Sequence, residues 1–313
     1  MSGRFFFAAF ERALKEPFRY GDIELRTRRG FLVSRQPGGA GLVAEAAPLP
    51  SHSPDTFEQL EAALEGRGPR TASLDFALSC LSDLSTPGPH EVHSNFLVPL
   101  RSPEDSERAL GLAMERGYTH CKLKVSPENL EQVPQLMKVF PRARYRLDAN
   151  GALSPELLSR LLHQLDLGNL LAAVDYLEEP YSRFWDQPFS GPKISFAADE
   201  TAALSLLTAP NPPSVFILKP AALGSLEALS SYLDTLRRQN VRAVVTTTLE
   251  AEPGRRALLR YLSRREHEVA GLSTGFLFAE NYLPDQPAWT SVPGPSEHEA
   301  AWTRSLRWKE AHA

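Results

Sequence analysis

Three acids and three lysines fall at or near the ends of apolar runs between Tyr118 and Lys219, in the phrases CKLKV, RLDAN, YLEEP, AADET and FILKP. From Lys124 to Asp148 is 24 residues, then 30 to Glu178, 21 to Asp199 and 20 to Lys219. Such intervals suit one strand plus one helix, and parallel strands need a crossover of this kind. Successive strand ends would therefore deliver their charges to one common rim, where active sites of such folds are built. Asp148, Glu178 and Asp199, with no Cys or His cluster beside them, make a hard oxygen donor set that suits Mg²⁺ better than Zn²⁺. A lysine near such an ion would have its amine partly neutralised by like-charge repulsion and so become a general base.

Side chains alternate along a strand, so Lys122 and Lys124 share one face while Cys121, Leu123 and Val125 take the other. The same parity groups Arg144, Arg146, Asp148 and Asn150, and puts Lys219 with Val215 and Ile217. Glu178 is inward and Glu179 structural. Taken singly, each charge would read as a solvated loop residue or a helix cap. Their joint order and spacing set them apart. His90, His93 and His120 are isolated and read as structural or exposed.

A K-x-K strand followed by D-A-N, L-E-E-P, D-E and a lone lysine in I-L-K-P resembles the enolase superfamily, and RLDAN with LKPAALGSLE most resembles its o-succinylbenzoate synthases. The resemblance runs over about residues 20 to 285. It implies a TIM-like (β/α)7β barrel with an N-terminal α+β capping domain, an α/β protein. It also implies Mg²⁺, with Mn²⁺ as a substitute, held by Asp148, Glu178 and Asp199, and an enediolate stabilised by that ion. The implied reaction is dehydration of 2-succinyl-6-hydroxy-2,4-cyclohexadiene-1-carboxylate to o-succinylbenzoate in menaquinone biosynthesis. In that reaction Lys124 is the base, Lys122 a cation that assists carboxylate binding, and Lys219 a cation against the ring. Arg146 would contact a substrate carboxylate or hydroxyl. The backbone amides of Thr246, Thr247, Thr248 and Gly271 would receive the succinyl carboxylate. Other readings within the superfamily are a dipeptide epimerase, an N-acylamino acid racemase or a muconate cycloisomerase, and outside enzymology a non-catalytic scaffold. Epimerases of the family hold a substrate ammonium with an Asp-x-Asp on the eighth strand, and Gly271-Leu272-Ser273-Thr274-Gly275-Phe276 contains no acid.

The 313 residues, 42% hydrophobic, suffice for a barrel plus a small second domain. A net charge of -4 gives no basic footprint for nucleic acid. Cys80 and Cys121 make no disulfide framework, which fits a reduced, cytoplasmic setting. The apolar run Phe5–Phe10 is too short for a secretory core or membrane span. The expected partner is a small-molecule carboxylate, with no nucleic acid and no membrane; the sequence sets no oligomeric state, and a monomer is compatible with it.

Residues 1–90 read as the capping domain, 91–285 as the barrel and 286–313 as a C-terminal segment able to complete the first. Strands are predicted at Phe5–Phe10, Ile23–Thr27, Phe31–Arg35 and Leu42–Ala46, with turns at Tyr20-Gly21-Asp22 and Pro37-Gly38-Gly39. Helices follow at Ser53–Glu65, capped by Ser53 or Asp55, and at Thr71–Leu84, before a hinge at Ser85–Pro89. Barrel strands are predicted at Asn95–Leu100, Thr119–Val125, Arg144–Ala149, Ala173–Glu178, Ile194–Ala198, Val215–Lys219, Arg242–Thr247 and Gly271–Phe278, with helices such as Pro103–Gly117, Pro155–Leu167 and Ser225–Gln239.

Overall fold

A computed structural model describes residues 4–20, 23–83, 86–98, 100, 102–199 and 201–311. Met1–Gly3, the Gly21-Asp22 turn, Leu84 of the second helix, Ser85 of the hinge, Pro99 of the first barrel strand and Glu200 lie outside the described residues.

The chain opens with β1 (Phe6–Tyr20) and β2 (Ile23–Ser34), a long antiparallel pair, followed by β3 (Val43–Ala46) on the outer edge of β2. The sequence predicts shorter, separate strands here because charged residues interrupt the apolar runs. The structure instead buries those charges in place. Arg12 lies on Glu252 at 3.0 Å, and Arg28 donates to the carbonyls of Leu249 and Pro48 at 3.0 and 2.6 Å. Helix α1 (Phe57–Leu64) is capped by Thr56, whose side chain accepts from the Gln59 amide while Gln59 reaches back, rather than by Ser53 or Asp55. Asp55 instead accepts from the amide and hydroxyl of Ser73 in α2 (Ala72–Ser82), tying the two helices together.

Eight parallel strands then form the barrel: β4 (Val92–Val98), β5 (His120–Lys124), β6 (Arg144–Asp148), β7 (Val174–Glu178), β8 (Phe196–Ala198), β9 (Val215–Leu218), β10 (Arg242–Val245) and β11 (Ala270–Ser273). β11 pairs with β4 and meets β10 through a Thr246–Gly271 bridge, which closes the ring. Crossovers carry α3 (Pro103–Glu115), α4 (Gln132–Val139), α5 (Pro155–Leu167), α6 (Pro220–Leu223), α7 (Leu226–Arg238) and α8 (Glu252–Leu262). Serine caps at Ser102, Ser154 and Ser225 start three of them. Between β7 and β8 and between β8 and β9 the described residues form only 3₁₀ turns, at Phe184–Asp186 and Leu204–Thr208. Pro188, Gly191 and Pro192 in the first crossover, and Pro210, Pro212 and Pro213 in the second, keep those segments from full helix.

The apolar sides of β5 to β8 and of α3 to α5 share one core, with Leu123, Leu147, Leu161 and Leu177 fully buried. After the barrel, β12 (Ala288–Trp289) pairs antiparallel with the start of β4. Helix α9 (Glu297–Ser305) follows, and β13 (Lys309–Glu310) joins the free edge of β1. No helix among the described residues is long and apolar enough to cross a membrane.

Candidate active site

Strand register brings the acids together. Lys124 is paired with Asp148, Asp148 with Glu178, and Glu178 with Ala197, two residues before Asp199. One carboxylate oxygen from each of Asp148, Glu178 and Asp199 lies within 4.8 Å of the others, and all three side chains are buried. Three buried carboxylates this close repel one another, and the lysines answer that repulsion. Lys122 Nζ stands 2.8 Å from Asp148 Oδ2 and 2.6 Å from Glu178 Oε2. Lys124 Nζ is 2.6 Å from Asp148 Oδ2 and 2.6 Å from Asn150 Oδ1, and Lys219 Nζ is 2.5 Å from Asp199 Oδ1.

The electrostatics of the three acids diverge. Burial raises the Asp148 carboxyl, but the ammonium groups of Lys122 and Lys124 outweigh it and hold the group below the usual carboxylate range. Glu178 is pushed up to about 8, by burial first and then by Asp148 and Asp199, which Lys122 only partly offsets. Burial opposes the charge on Lys122, yet Asp148, Glu178 and Asp199 raise it well above the ordinary lysine value. Glu178 Oε1 is buried without a hydrogen-bond partner, and Asp199 Oδ1 meets Lys219 as an ion pair outside hydrogen-bonding geometry. An orphaned buried oxygen is costly. These two oxygens, with Asp148 beside them, make a donor set that fits a hard divalent cation such as Mg²⁺.

The pocket above the carboxylates is lined by Lys122, Lys124, Glu178, Asp199 and Lys219, by Thr246, Thr247 and Gly271, and by Asn95, Tyr176, Ser273 and Thr274. Phe18, Leu49 and His52 contribute from outside the barrel. The space left is about 90 Å³, because the lysine side chains lie across it onto the acids.

Two expectations about substrate contacts need correction. Arg146 shares the inward face of β6 with Asp148 but sits one layer deeper and is fully buried. Its guanidinium donates from Nε to Asp175 and from Nη1 to Asn95, both at 2.9 Å, with its charge over the Tyr176 ring. Alternation along a strand specifies a face, not a depth, and Arg146 belongs to the packed floor of the barrel together with Asp175 and Arg242. The second correction concerns the amides of Thr246, Thr247 and Thr248. These donate to Leu218 O at 2.9 Å, Gly271 O at 3.1 Å and Glu250 Oε2 at 2.6 Å, so the β9–β10 pairing, barrel closure and a buried acid already take them. Thr248 does not line the pocket. Gly271 does, and a Cβ there would stand 2.5 Å from Thr246 Oγ1, so glycine is what lets β10 and β11 approach. The hydroxyls of Thr247 and Thr274, 3.2 Å apart, are the polar groups left at this end of the pocket.

Sequence reasoning missed His52, on the segment after β3, whose Nδ1 is 3.3 Å from Lys219 Nζ. Burial and then Lys219 lower its imidazole to about 4, so it is neutral at neutral pH. No local pattern marks it; only the fold brings it 167 residues along the chain to Lys219. Asn150, inward by strand parity, fixes Lys124 by accepting from its ammonium at 2.6 Å. Glu179, read as structural, accepts from the amides of Asp199 and Thr201 at 2.8 and 3.1 Å and so holds the third acid in place.

No protein-family model matches the chain. Among curated proteins it is similar to o-succinylbenzoate synthases: 25% identical over 269 residues to that of Shigella sonnei, covering 76% of this chain and 80% of that protein. It is likewise 25% identical over 284 residues to that of an Escherichia coli strain, covering 81% and 85%. Among solved structures it resembles the L-Ala-D/L-Glu epimerase from Bacillus subtilis, with a TM-score of 0.78 at 14% identity over 94% of this chain and 96% of that one. A dipeptide epimerase from Methylococcus capsulatus, complexed with Mg and the dipeptide L-Arg-D-Lys, gives a TM-score of 0.76 at 17% identity over 89% and 92%. An enolase-superfamily member from Listeria innocua gives 0.75 at 18% identity over 99% and 98%. The chain thus has the fold of the enolase superfamily, and the resemblance read from its motifs stands.

Proposed function

We propose that this chain, a distant relative of the o-succinylbenzoate synthases, is an enzyme that removes water from 2-succinyl-6-hydroxy-2,4-cyclohexadiene-1-carboxylate to give o-succinylbenzoate. The observation that carries the choice among related chemistries is the lining of the pocket. Among the described residues its only acids are Glu178 and Asp199, and both belong to the metal triad. A dipeptide would bring a cationic α-amino group, and burying it without a carboxylate costs several kcal/mol. A dianionic substrate meets instead the ammonium groups of Lys122, Lys124 and Lys219 and the hydroxyls of Thr247 and Thr274. The names of the curated relatives support the same reading.

The difficult step is loss of a proton from the carbon α to the carboxylate. A Mg²⁺ ion held by Asp148, Glu178 and Asp199 would supply Lewis-acid stabilisation of the charge that develops there. Lys124, oriented by Asn150, takes the proton. The hydroxyl leaves the neighbouring carbon with the proton that Lys124 gives back, so the products are water and an aromatic ring, and the lysine is restored. Lys219, steadied by Asp199 and His52, offers its cation to the opposite side of the ring. Lys122 keeps its charge, because its acidic neighbours hold it, and meets the substrate carboxylate.

A second reading, dipeptide epimerisation, has support from the solved structures and from the placing of Lys124 and Lys219 on opposed strands. The test is to incubate purified, EDTA-treated protein with the cyclohexadiene and follow o-succinylbenzoate as Mg²⁺ is added back. Turnover that appears with Mg²⁺ supports the proposal, and none at any Mg²⁺ concentration refutes it.

A further inference from the structure

A second cavity, of about 580 Å³, lies against α8 and α9 and shares no lining residue with the active-site pocket. Its walls are the Pro37–Gly41 turn after β2, the start of β3, and one face each of the two helices. Helix α8 and the residues just after it carry Arg256, Arg260 and Arg264 at four-residue intervals, so three guanidinium groups follow one another along one face. The outer two are matched. Arg256 makes a fork with Glu299, at 2.7 and 2.5 Å, and Arg264 lies 2.5 Å from Asp83.

Arg260, between them, is half-buried and meets no carboxylate and no side-chain hydrogen-bond acceptor among the described residues. Burial disfavours its charge; the Asp83 carboxylate, which belongs to Arg264, favours it without pairing with it, and Arg256 and Arg264 add their repulsion. A cation so placed is costly to leave unmatched. Arg304, in the last turn of α9, lines the same cavity and likewise has no acidic partner among the described residues. Glu299, the one acid in the lining, is already neutralised by Arg256. Apart from Thr303, the remaining wall is mainly apolar, with Leu42, Val43, Ala257 and Ala300.

We infer that this cavity binds a small organic carboxylate, its anionic group between Arg260 and Arg304 and its apolar body against Leu42, Val43, Ala257 and Ala300. The site lies outside the catalytic pocket, so the inference stands apart from the proposed reaction. The guanidinium forks match the two oxygens of a carboxylate, and the apolar wall is what selects an organic anion over inorganic phosphate.

Benzoate is a suitable probe, titrated calorimetrically into metal-free wild-type protein and into Arg260→Met, Arg304→Met and Lys219→Ala, with inorganic phosphate as a second titrant. The expected result is a benzoate-binding event weakened at least tenfold in both arginine variants and retained in Lys219→Ala, with phosphate weaker than benzoate in the wild type. Turnover measured without benzoate is expected to be unchanged in both arginine variants, which separates this site from the catalytic one. Arg260→Met removes an unmatched cation, so its melting temperature in the absence of benzoate should be no lower than wild type. If that variant fails to fold, the exposed Arg304→Met carries the test alone. Benzoate binding that neither arginine substitution weakens, or phosphate binding as tight as benzoate, overturns the inference.

Discussion

Lys124 and Lys219 stand at the ends of β5 and β9, four places apart in the ring of eight strands, so they address the pocket from opposite sides. Each rests on a different carboxylate of the triad, Lys124 on Asp148 and Lys219 on Asp199. Their partners also differ: a carboxamide, Asn150, for one and a neutral imidazole, His52, for the other.

This asymmetry predicts different losses. Lys124→Ala should abolish exchange of the α-proton with solvent deuterium, whereas Lys219→Ala should retain that exchange while slowing dehydration, by roughly the 10²–10⁴-fold expected when a positioned charged group is lost. Exchange followed by NMR in the two variants checks the assignment. Retained exchange in Lys124→Ala would remove it as the base.

Glu178 is the acid that burial and its acidic neighbours push up to about 8, so near neutral pH the metal-free fold favours its protonated form. Glu178→Gln should therefore fold at least as stably as wild type without metal yet lose Mg²⁺ affinity by more than the ~10–100-fold of outer-shell changes. Calorimetric Mg²⁺ titration and metal-free melting temperatures give the two readouts. Asp148→Asn and Asp199→Asn should lose Mg²⁺ to a similar degree. Unchanged Mg²⁺ affinity in any of the three would take that residue out of the metal site.

Arg146→Ala should act on stability. Removing Arg146 from its buried pair with Asp175, 2.9 Å apart, leaves that carboxylate to Arg242 alone and empties part of the packed floor, at a cost of about 3 kcal/mol. Chemical denaturation should show that loss. The folded fraction should keep its KM, and a raised KM at unchanged stability would restore Arg146 to the substrate site.

Glu45 clasps β3 to the start of α8 by accepting from the amides of Ala251 and Gly254 at 3.0 and 3.3 Å. Burial first and Glu250 second raise its carboxyl from 4.5 to about 8, against Arg28. A folded-state value above the unfolded one means the fold prefers the proton, so this contribution to stability is whole below about 4.5 and is lost as pH rises through about 8. Glu45→Gln, which stays neutral, should gain in melting temperature relative to wild type from pH 5 to pH 9. A difference that stays flat across that range counts against the raised value.

The triad and its lysines were legible because strand parity and βα spacing are both written in the chain, and register then aligns Lys124, Asp148 and Glu178 side by side. Depth was not legible. Arg146 has the parity of Asp148, but which layer of a barrel a side chain fills depends on the tilt and stagger of its neighbours. The threonine amides failed for a related reason, since pairing of β10 with β9, its closure on β11 and the Glu250 carboxylate use donors that a single strand leaves open. His52 was invisible because its partner is remote in sequence. The merging of the early strands into β1 and β2 went unread because Arg12 and Arg28 find their counter-groups on the barrel side of the molecule.

The most direct measurement compares kcat/KM of the Mg²⁺-loaded protein for the cyclohexadiene carboxylate and for L-Ala-L-Glu, with EDTA controls. The account predicts Mg²⁺-dependent formation of o-succinylbenzoate and no useful epimerisation of the dipeptide, because among the described residues the pocket offers an ammonium no carboxylate outside the triad. Robust epimerisation of the dipeptide with no turnover of the cyclohexadiene would contradict it.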